Sequence, residues 1–170
     1  MQLESNHKIT KIYDVVIVGG GPSGLISAIF SASRGKKTVI CERNGFCGKK
    51  LNITGKGRCN ITNNCDNQTF LSNVTKNSKF LYKAISSFST SNVMDYFESI
   101  GVPLKTERGN RVFPISDKAK DVTNALVREA KKNDVDFIFE RVKKIKKIID
   151  ENNQEKFIIS FKDSKTSFIS

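Results

Sequence analysis

A glycine-rich hexapeptide near the start of the chain has the spacing of a phosphate-binding turn. Gly19-Gly20-Gly21-Pro22-Ser23-Gly24 satisfies the pattern G-x-G-x-x-G. Its first glycine allows a tight turn, its second lets the main chain approach a pyrophosphate, and its third lets a helix pack closely on a strand. A helix that begins here directs free N–H groups and a positive dipole end at the phosphates. The motif predicts a pyrophosphate site formed by Gly19, Gly21, Pro22, Ser23 and Gly24.

An acidic residue, Glu42, lies eighteen residues after Gly24. At the end of a second strand, a carboxylate accepts hydrogen bonds from the hydroxyls of an adenosine ribose. The same negative charge would repel a 2′-phosphate, which argues against NADP at this particular site. Both FAD and NAD contain ADP, so the pattern alone does not distinguish them.

The elements around the motif predict a βαβ unit at the start of an α/β fold. Tyr13–Val18 is a short β-branched run of the kind found in strands buried on both faces. A helix is expected from Pro22 to about Arg34, with Gly35 as its stop, and a second strand over Thr38–Cys41. A third core strand is predicted over Val135–Phe139.

The remainder of the chain predicts further elements and one long loop. Residues 1–12 are expected to be a tail, and 43–77 to be a loop without regular structure. The other predictions are helices over 79–88 and 92–100, the second capped by Ser91, a hairpin over 102–113, a helix from a Ser116 cap to about Asn133, and short strands over 142–169.

The loop after Glu42 favours a cofactor larger than NAD. Gly48-Lys49-Lys50-Leu51 and the segment from Thr54 to Asn60 add glycines and cations close to the expected dinucleotide. A unit that binds NAD usually proceeds from its acid to another helix and strand. A long loop is consistent with wrapping a more extended molecule.

These segments together resemble the BaiN/YhiN-like family of bacterial flavoproteins, which are related to a bile-acid reductase and to aminoacetone oxidase and are described as NAD(P)/FAD-dependent oxidoreductases. The resemblance rests on the glycine motif, Glu42-Arg43, Gly48-Lys49-Lys50, Thr54–Asn60, and Arg111–Pro114 followed by Ser116–Ala119. It implies an α/β fold: a Rossmann-like FAD-binding domain of the glutathione-reductase type with a small β-meander. One departure is Lys56, where the family usually has glycine.

The resemblance also implies roles for individual residues. Glu42 would hold the ribose, Arg43 beside it would also bind the cofactor, and Val142, from its place in the fold, would contact adenine through its main chain. Four residues would lie along the ribityl chain and flavin, namely Lys50, Arg58, Cys59 and Asn60. NAD(P)H is the expected electron donor and a small organic molecule the expected substrate. Residues 13–170 would then form an incomplete FAD-binding domain that stops before its C-terminal half and lacks the inserted substrate domain.

Three of these residues, Arg58, Cys59 and Asn60, are the candidate catalytic residues, and two of them have alternative interpretations. Arg58 could stabilise negative charge on a reduced flavin, or could be a loop arginine that bonds main-chain carbonyls. Cys59 could be a single thiol beside the flavin, or one of a redox pair with Cys65. Disulfide reductases separate their two cysteines by four residues, whereas five separate Cys59 from Cys65, so the single thiol is favoured.

Composition limits the remaining classes of function. The 170 residues have a net charge of +12, so the alternative to an enzyme is a nucleotide-binding or basic nucleic-acid-binding module without turnover. The basic run Arg141–Lys147 has no interleaved aromatics and is interpreted as a solvated edge strand rather than a specific nucleic-acid site. No long apolar window and no export signal are visible, so we expect no membrane association, a cytoplasmic location and reduced thiols. The cysteine spacing fits no common zinc site, so no metal is expected. The oligomeric state stays open.

Overall fold

Parallel strands form where the sequence has its β-branched runs, in a computed structural model that describes residues 8–162 and 166–169. The described residues fall into two compact units, one from 8–49 with 126–162 and 166–169, and one from 50–125. Within the described residues, no helix combines the length and the apolar character needed to cross a membrane.

The first unit contains the predicted βαβ arrangement. Its three-stranded parallel sheet has the order β2 (Val15–Val18), β3 (Thr38–Cys41), β7 (Asp136–Ile138). Helix α1 (Pro22–Ala32) connects β2 to β3 and buries Leu25, Ala28 and Ile29. All four residues of β3 are buried, as predicted for a strand covered on both faces.

A four-stranded sheet completes the first unit and confirms the predicted β-meander. Its order is β1 (Lys8–Ile12), β10 (Thr166–Ile169), β9 (Glu155–Phe161), β8 (Val142–Ile149). Strands β8, β9 and β10 are antiparallel neighbours. The basic strand β8 lies at the edge of the sheet with its lysines exposed, as expected of a solvated edge.

The expected tail over residues 1–12 is wrong for its last five residues. Lys8–Ile12 forms β1, which pairs in parallel with β10. A short polar segment shows no apolar alternation, so only the available edge of β10 makes it a strand. Residues 1–7 lie outside the described part of the chain.

One apolar cluster packs the meander against the parallel sheet. Its buried members are Tyr13, Val39, Cys41, Ile159 and Phe161, and three partly buried residues, Val16, Ile138 and Val142, pack against it. The beginning of β8 is thereby held beside the end of β3.

The second unit corrects the expectation of a structureless loop over 43–77. That segment contains a 3₁₀ helix (Leu51–Gly57) that is interrupted by a kink at residues 54–56, and also β4 (Thr62–Asn63) and α2 (Asn67–Ser72). Asp66 caps α2 by accepting a hydrogen bond from the Thr69 N–H at 2.7 Å. These elements are too short to produce a visible period in the sequence.

The remaining elements of the second unit follow the prediction closely. They are α3 (Ser78–Ser87), α4 (Thr90–Ser99), β5 (Leu104–Glu107), β6 (Arg111–Pro114) and the first half of α5 (Ala119–Lys132). Strands β5 and β6 form the expected hairpin, and β4 pairs with the other edge of β6.

The two predicted helix caps are wrong. Helix α4 is capped by Ser89 rather than Ser91, because the Ser89 hydroxyl accepts from the Asn92 N–H while the Asn92 side chain accepts from the Ser89 N–H. Ser116 lies before α5, and its hydroxyl accepts from the Lys118 N–H at 3.3 Å. Helix α5 begins only at Ala119.

Candidate nucleotide-binding site

The turn between β2 and α1 depends on two glycines of the motif. Gly19 has a φ of +110°, a backbone conformation that favours glycine, and its N–H donates to the Cys41 carbonyl at 2.8 Å. A Cβ on Gly24 would lie within 3.0 Å of the Gly19 carbonyl oxygen and 3.3 Å from Cγ2 of Ile17. The close packing of helix on strand that was predicted at Gly24 is therefore confirmed.

The N-terminus of α1 is open. Gly21 is its N-cap residue with a φ of −76°, and no side chain caps the helix. A Cβ on Gly21 would meet no atom within 4 Å, so the hydrogen of this residue faces free space. Pro22 and Ser23 are exposed in the first turn. The unbonded N–H groups and positive dipole of this helix end are available to an anion.

Gly20, the variable position between the first two glycines of the motif, is also restricted to glycine. A Cβ on Gly20 would lie 2.5 Å from Sγ of Cys47 and 3.3 Å from Cβ of Glu42. The Gly48 N–H donates to the Gly20 carbonyl at 2.8 Å. Burial, with a further contribution from the charge of Glu42, raises the pKa of the Cys47 thiol to about 11. Cys47 is thus an uncharged packing residue behind the turn, a role that its sequence position did not reveal.

Glu42 is fixed against the glycine turn. It is only 8% exposed. Its Oε2 accepts from the Gly20 N–H at 2.7 Å, and its Oε1 accepts from the Asn44 N–H at 2.9 Å and from the Asn44 side chain. Burial alone would raise the pKa of this carboxyl, but the hydrogen bonds from Asn44 and Gly20 lower it below its ordinary value.

Glu42 is therefore a carboxylate at neutral pH. Each of its oxygens can accept a further donor, so a ribose contact fits this geometry and stays a prediction. The main-chain contacts with Gly20 and Asn44 were not expected, and they make Glu42 part of the scaffold of the turn as well.

A cleft of about 330 Å³ opens at the carboxyl ends of β2 and β3. Its lining consists of Val18, Gly19, Cys41, Glu42, Arg43, Arg141 and Val142. Four predicted cofactor-binding residues are thus brought together: Gly19, Glu42, Arg43 and Val142. Burial raises the pKa of the Cys41 thiol to about 12, with a contribution from Glu140. Cys41 therefore lines the cleft as an uncharged thiol.

Sequence reasoning missed Val18, Cys41 and Arg141. Each lies at or just after the end of a parallel strand or the start of the next element, where ligands of α/β sheets bind. This rule could have identified them once the strands were predicted.

The residues around this cleft fit an adenine dinucleotide. The helix end is uncapped, Gly21 leaves room for close approach of a phosphate, and Glu42 supplies a charged acceptor. Arg43 and Arg141 are exposed cations at the same cleft. Nowhere in the described part of the chain do three or more His, Cys, Asp or Glu side chains cluster as metal ligands would.

In the second unit, Arg58 belongs to a cluster of four charges. Its guanidinium forms ion pairs with Glu107 and Asp117, with Nε at 2.8 Å from Oδ1 of Asp117. Lys105 pairs with the same two carboxylates, at 2.6 Å from Asp117 and 3.4 Å from Glu107. The guanidinium also lies 4.2 Å from the centre of the Phe113 ring.

The contacts of Arg58 differ from the interpretation as a loop arginine that bonds main-chain carbonyls. The side chain bonds carboxylates rather than main-chain carbonyls, and its charge is balanced. Hydrogen bonds from Arg58 and Lys105 hold the pKa values of Glu107 and Asp117 below their ordinary values. A role of Arg58 beside a flavin stays a prediction.

The other predicted flavin-side residues also lie in the second unit. Cys59 is 1% exposed and burial raises the pKa of its thiol. The Asn60 amide, in the orientation that satisfies its neighbours, donates to the carbonyls of Val112 and Thr62. Lys50 is exposed at the start of the 3₁₀ helix. Cys59 and Cys65 are both free thiols, as are Cys41 and Cys47.

The departure at Lys56 has a visible conformational cost. Lys56 has a φ of +58° and a ψ of +39°, in the left-handed region that glycine adopts without strain. A glycine at this position, as in the family that the sequence resembles, would remove the strain.

Comparison with known proteins places the chain in a family. Residues 13–169 match the family model described as HI0933-like protein Rossmann domain. The chain is 34% identical over 121 residues to the 3-dehydro-bile acid delta(4,6)-reductase of Clostridium scindens, which covers 70% of this chain and 29% of that protein. It is 25% identical over 126 residues to the ribosomal RNA dihydrouridine synthase of Escherichia coli, covering 74% of this chain and 30% of the relative. The chain thus spans less than a third of either relative.

Solved structures show the same fold. The 3-ketosteroid-delta4-(5alpha)-dehydrogenase of Rhodococcus jostii RHA1 superimposes with a TM-score of 0.67 at 14% identity, covering 95% of this chain and 44% of that one. The Rossmann-like fold and the family resemblance noted in the sequence are both confirmed. The chain belongs to the HI0933-like Rossmann-domain family, the BaiN/YhiN type, whose members are FAD-dependent oxidoreductases.

Proposed function

We propose that the first unit binds the ADP part of FAD and that the protein is a flavin-dependent oxidoreductase, with NAD(P)H or oxygen as its redox partner. The observation that supports this most directly is the juxtaposition of an uncapped helix end with a charged Glu42 at one cleft. The alternative, a basic module without turnover, is not favoured by the family match.

In this proposal each residue has a defined task. The N–H groups at the start of α1 bind the pyrophosphate, and the open space at Gly21 admits it. Glu42 accepts from the ribose hydroxyls, Arg43 offsets the phosphate charge at the rim, and the main chain of Val142 contacts adenine. The flavin, when bound, supplies two-electron transfer, which protein side chains lack.

The other predicted cofactor-binding residues have a proposed role along the ribityl chain and flavin. We propose this role for Lys50, Arg58, Cys59 and Asn60. Lys50 is the exposed cation among them. The high pKa of the buried Cys59 thiol favours a neutral packing residue over a redox pair with Cys65.

We propose that the substrate contains a carbon–carbon double bond conjugated to a carbonyl group. The names of both curated relatives describe saturation of such a bond, in a 3-oxo bile acid and in a uracil base. The first is a small organic molecule, the class of substrate that the family resemblance implies. The net charge of +12 favours the polyanionic RNA as a second candidate.

Titration calorimetry of the 170-residue chain with ADP and with FAD tests the proposed cofactor. We expect both to bind, and Glu42→Arg to weaken both by at least about tenfold, because a buried hydrogen-bonded carboxylate is lost. Glu151→Arg, at an exposed turn of the meander, makes the same charge change away from the cleft and should bind like the wild type. Unchanged affinity in Glu42→Arg would show that the ribose assignment is wrong.

RNA binding is tested separately by its dependence on salt. A polyphosphate site loses affinity steeply as salt rises, whereas ADP binding at a single cleft loses little. RNA binding without any binding of ADP would contradict the proposed function. We also propose a cytoplasmic location, which the four free thiols support.

A further inference from the structure

A buried carboxylate oxygen beside the cleft has no partner. Oε2 of Glu140 is buried, and none of the described residues donates a hydrogen bond to it. An unpaired buried acceptor costs free energy comparable to a lost hydrogen bond, and native proteins contain few of them. A ligand that brings a donor to this oxygen would remove that cost.

The position of Glu140 is defined by the elements on either side. It follows the end of β7 and precedes Arg141 and Val142, which both line the cleft. The Arg141 carbonyl accepts from the Lys162 N–H at 2.9 Å, which ties this connection to the end of β9. The segment between β7 and β8, which contains Glu140, is therefore fixed to β9 within the first unit.

Glu140 is also close to the wall formed by β3. Its charge contributes to the raised pKa of the Cys41 thiol, and Cys41 and Val142 both line the cleft. The Glu42 N–H donates to the Ile138 carbonyl at 2.9 Å, which joins the end of β3 to the end of β7. Glu140 thus lies next to residues that line the cleft, two positions before Val142, whose main chain is the proposed contact of adenine.

The chemistry of the acceptor limits which base it can recognise. An ionised carboxylate only accepts hydrogen bonds. Adenine presents a 6-amino group, a donor, whereas hypoxanthine and guanine present a carbonyl oxygen at the same position. We propose that Oε2 of Glu140 accepts a hydrogen bond from the 6-amino group of adenine, and that this contact makes the cleft selective for adenine over 6-oxopurines. The proposal rests on the nucleotide site described above and adds a specificity-determining residue to it.

The test compares ADP with IDP, which differs from it in the base alone. Calorimetry on the 170-residue chain should show ADP binding at least about tenfold more tightly than IDP, the difference expected of one hydrogen bond to a charged acceptor. In Glu140→Gln the ratio should fall to within about threefold, because an amide presents either an acceptor or a donor to the base. Glu151→Gln, the same change at an exposed turn, should keep the wild-type ratio.

Each outcome decides a different point. Equal affinity of the wild type for ADP and IDP, or an unchanged ratio in Glu140→Gln, would overturn the role of Glu140 and leave the nucleotide site intact. Binding of neither nucleotide by the folded wild type would overturn the site and this inference together. The wild-type ratio alone is informative even where the variant folds poorly, and circular dichroism identifies that case.

Discussion

Replacing either of two glycines of the motif by alanine should have a different effect, one on the stability of the fold and the other on nucleotide binding. Gly24→Ala adds a methyl group that would lie within 3.0 Å of the Gly19 carbonyl oxygen. Gly21→Ala adds the same methyl group where no atom lies within 4 Å. The first change should destabilise the fold, and the second should weaken nucleotide binding without destabilising it.

The magnitude for Gly24 follows from its surroundings. The new methyl is confined by the Gly19 carbonyl on one side and by Ile17 at 3.3 Å on another. Main-chain atoms cannot rotate away, so the upper part of the range for overpacking, about 3 kcal/mol, applies. Replacing glycine within a helix returns about 1 kcal/mol. The net loss of about 2 kcal/mol corresponds to a fall in Tm of about 4–8 °C for a chain of this length.

Gly21→Ala should leave the free energy of unfolding nearly unchanged. Its φ of −76° suits alanine. Loss of a favourable N-cap residue costs about 0.5–1 kcal/mol, and the reduced entropy of the unfolded chain offsets a similar amount. The methyl group would occupy the space through which a pyrophosphate approaches, so ADP affinity should fall at least about tenfold.

Thermal unfolding followed by circular dichroism and ADP calorimetry, on the wild type and both variants, measures the two effects. If Gly24→Ala melts at the wild-type temperature, the close contact of Gly24 with the Gly19 carbonyl does not restrict this position to glycine. The pyrophosphate assignment is refuted if Gly21→Ala melts normally and binds ADP normally.

Three further predictions concern other residues. Although burial opposes it, hydrogen bonding lowers the pKa of Glu42, so its contribution to stability is present at neutral pH and lost as pH falls through that lowered value. Glu42→Gln should lower Tm at about pH 7, and thermal unfolding at successively lower pH should show its difference from the wild type shrinking as the carboxylate is protonated. Lys56→Gly should raise the free energy of unfolding in urea by up to about 1 kcal/mol, because the backbone of Lys56 is left-handed. Lys83→Gly within α3 should lower it by about as much. A lower free energy of unfolding in both variants would contradict the assignment of strain to Lys56. Iodoacetamide should label the half-buried Cys65 before the buried Cys59, and mass spectrometry of the native protein showing Cys59 labelled first would contradict its burial.

Local patterns predicted the elements that depend on their own residues. The runs of β-branched residues in β2 and β3 and the glycines before α1 predicted the βαβ unit, because buried strands and tight turns restrict residue type at each position. The helix that ends near Asn133 was also predicted, and four of its apolar residues, Ala119, Val122, Leu126 and Ala130, are buried in α5.

The errors occurred where structure depends on distant partners or on very short elements. Strand β1 exists because Lys8 pairs with Thr166 at the other end of the chain. Strand β4 has two residues and pairs with β6, which begins at Arg111. Neither pairing leaves a local signal, so both segments were predicted as irregular.

The candidate site also contains residues that a local pattern predicts and residues that only distant contacts bring in. The sequence alone determined the glycine turn and the acid at the end of β3, because spacing along a βαβ unit fixes where these residues lie. The family resemblance implied a role for Val142, about a hundred residues later in the chain. Only the tertiary structure placed it, together with Arg141, in the same cleft as Glu42. It also paired Arg58 with carboxylates 49 and 59 residues away. Packing of the meander on the parallel sheet decides the first placement, and the pairing of β4 and β5 with β6 accompanies the second. Both depend on partners far along the chain rather than on any one segment.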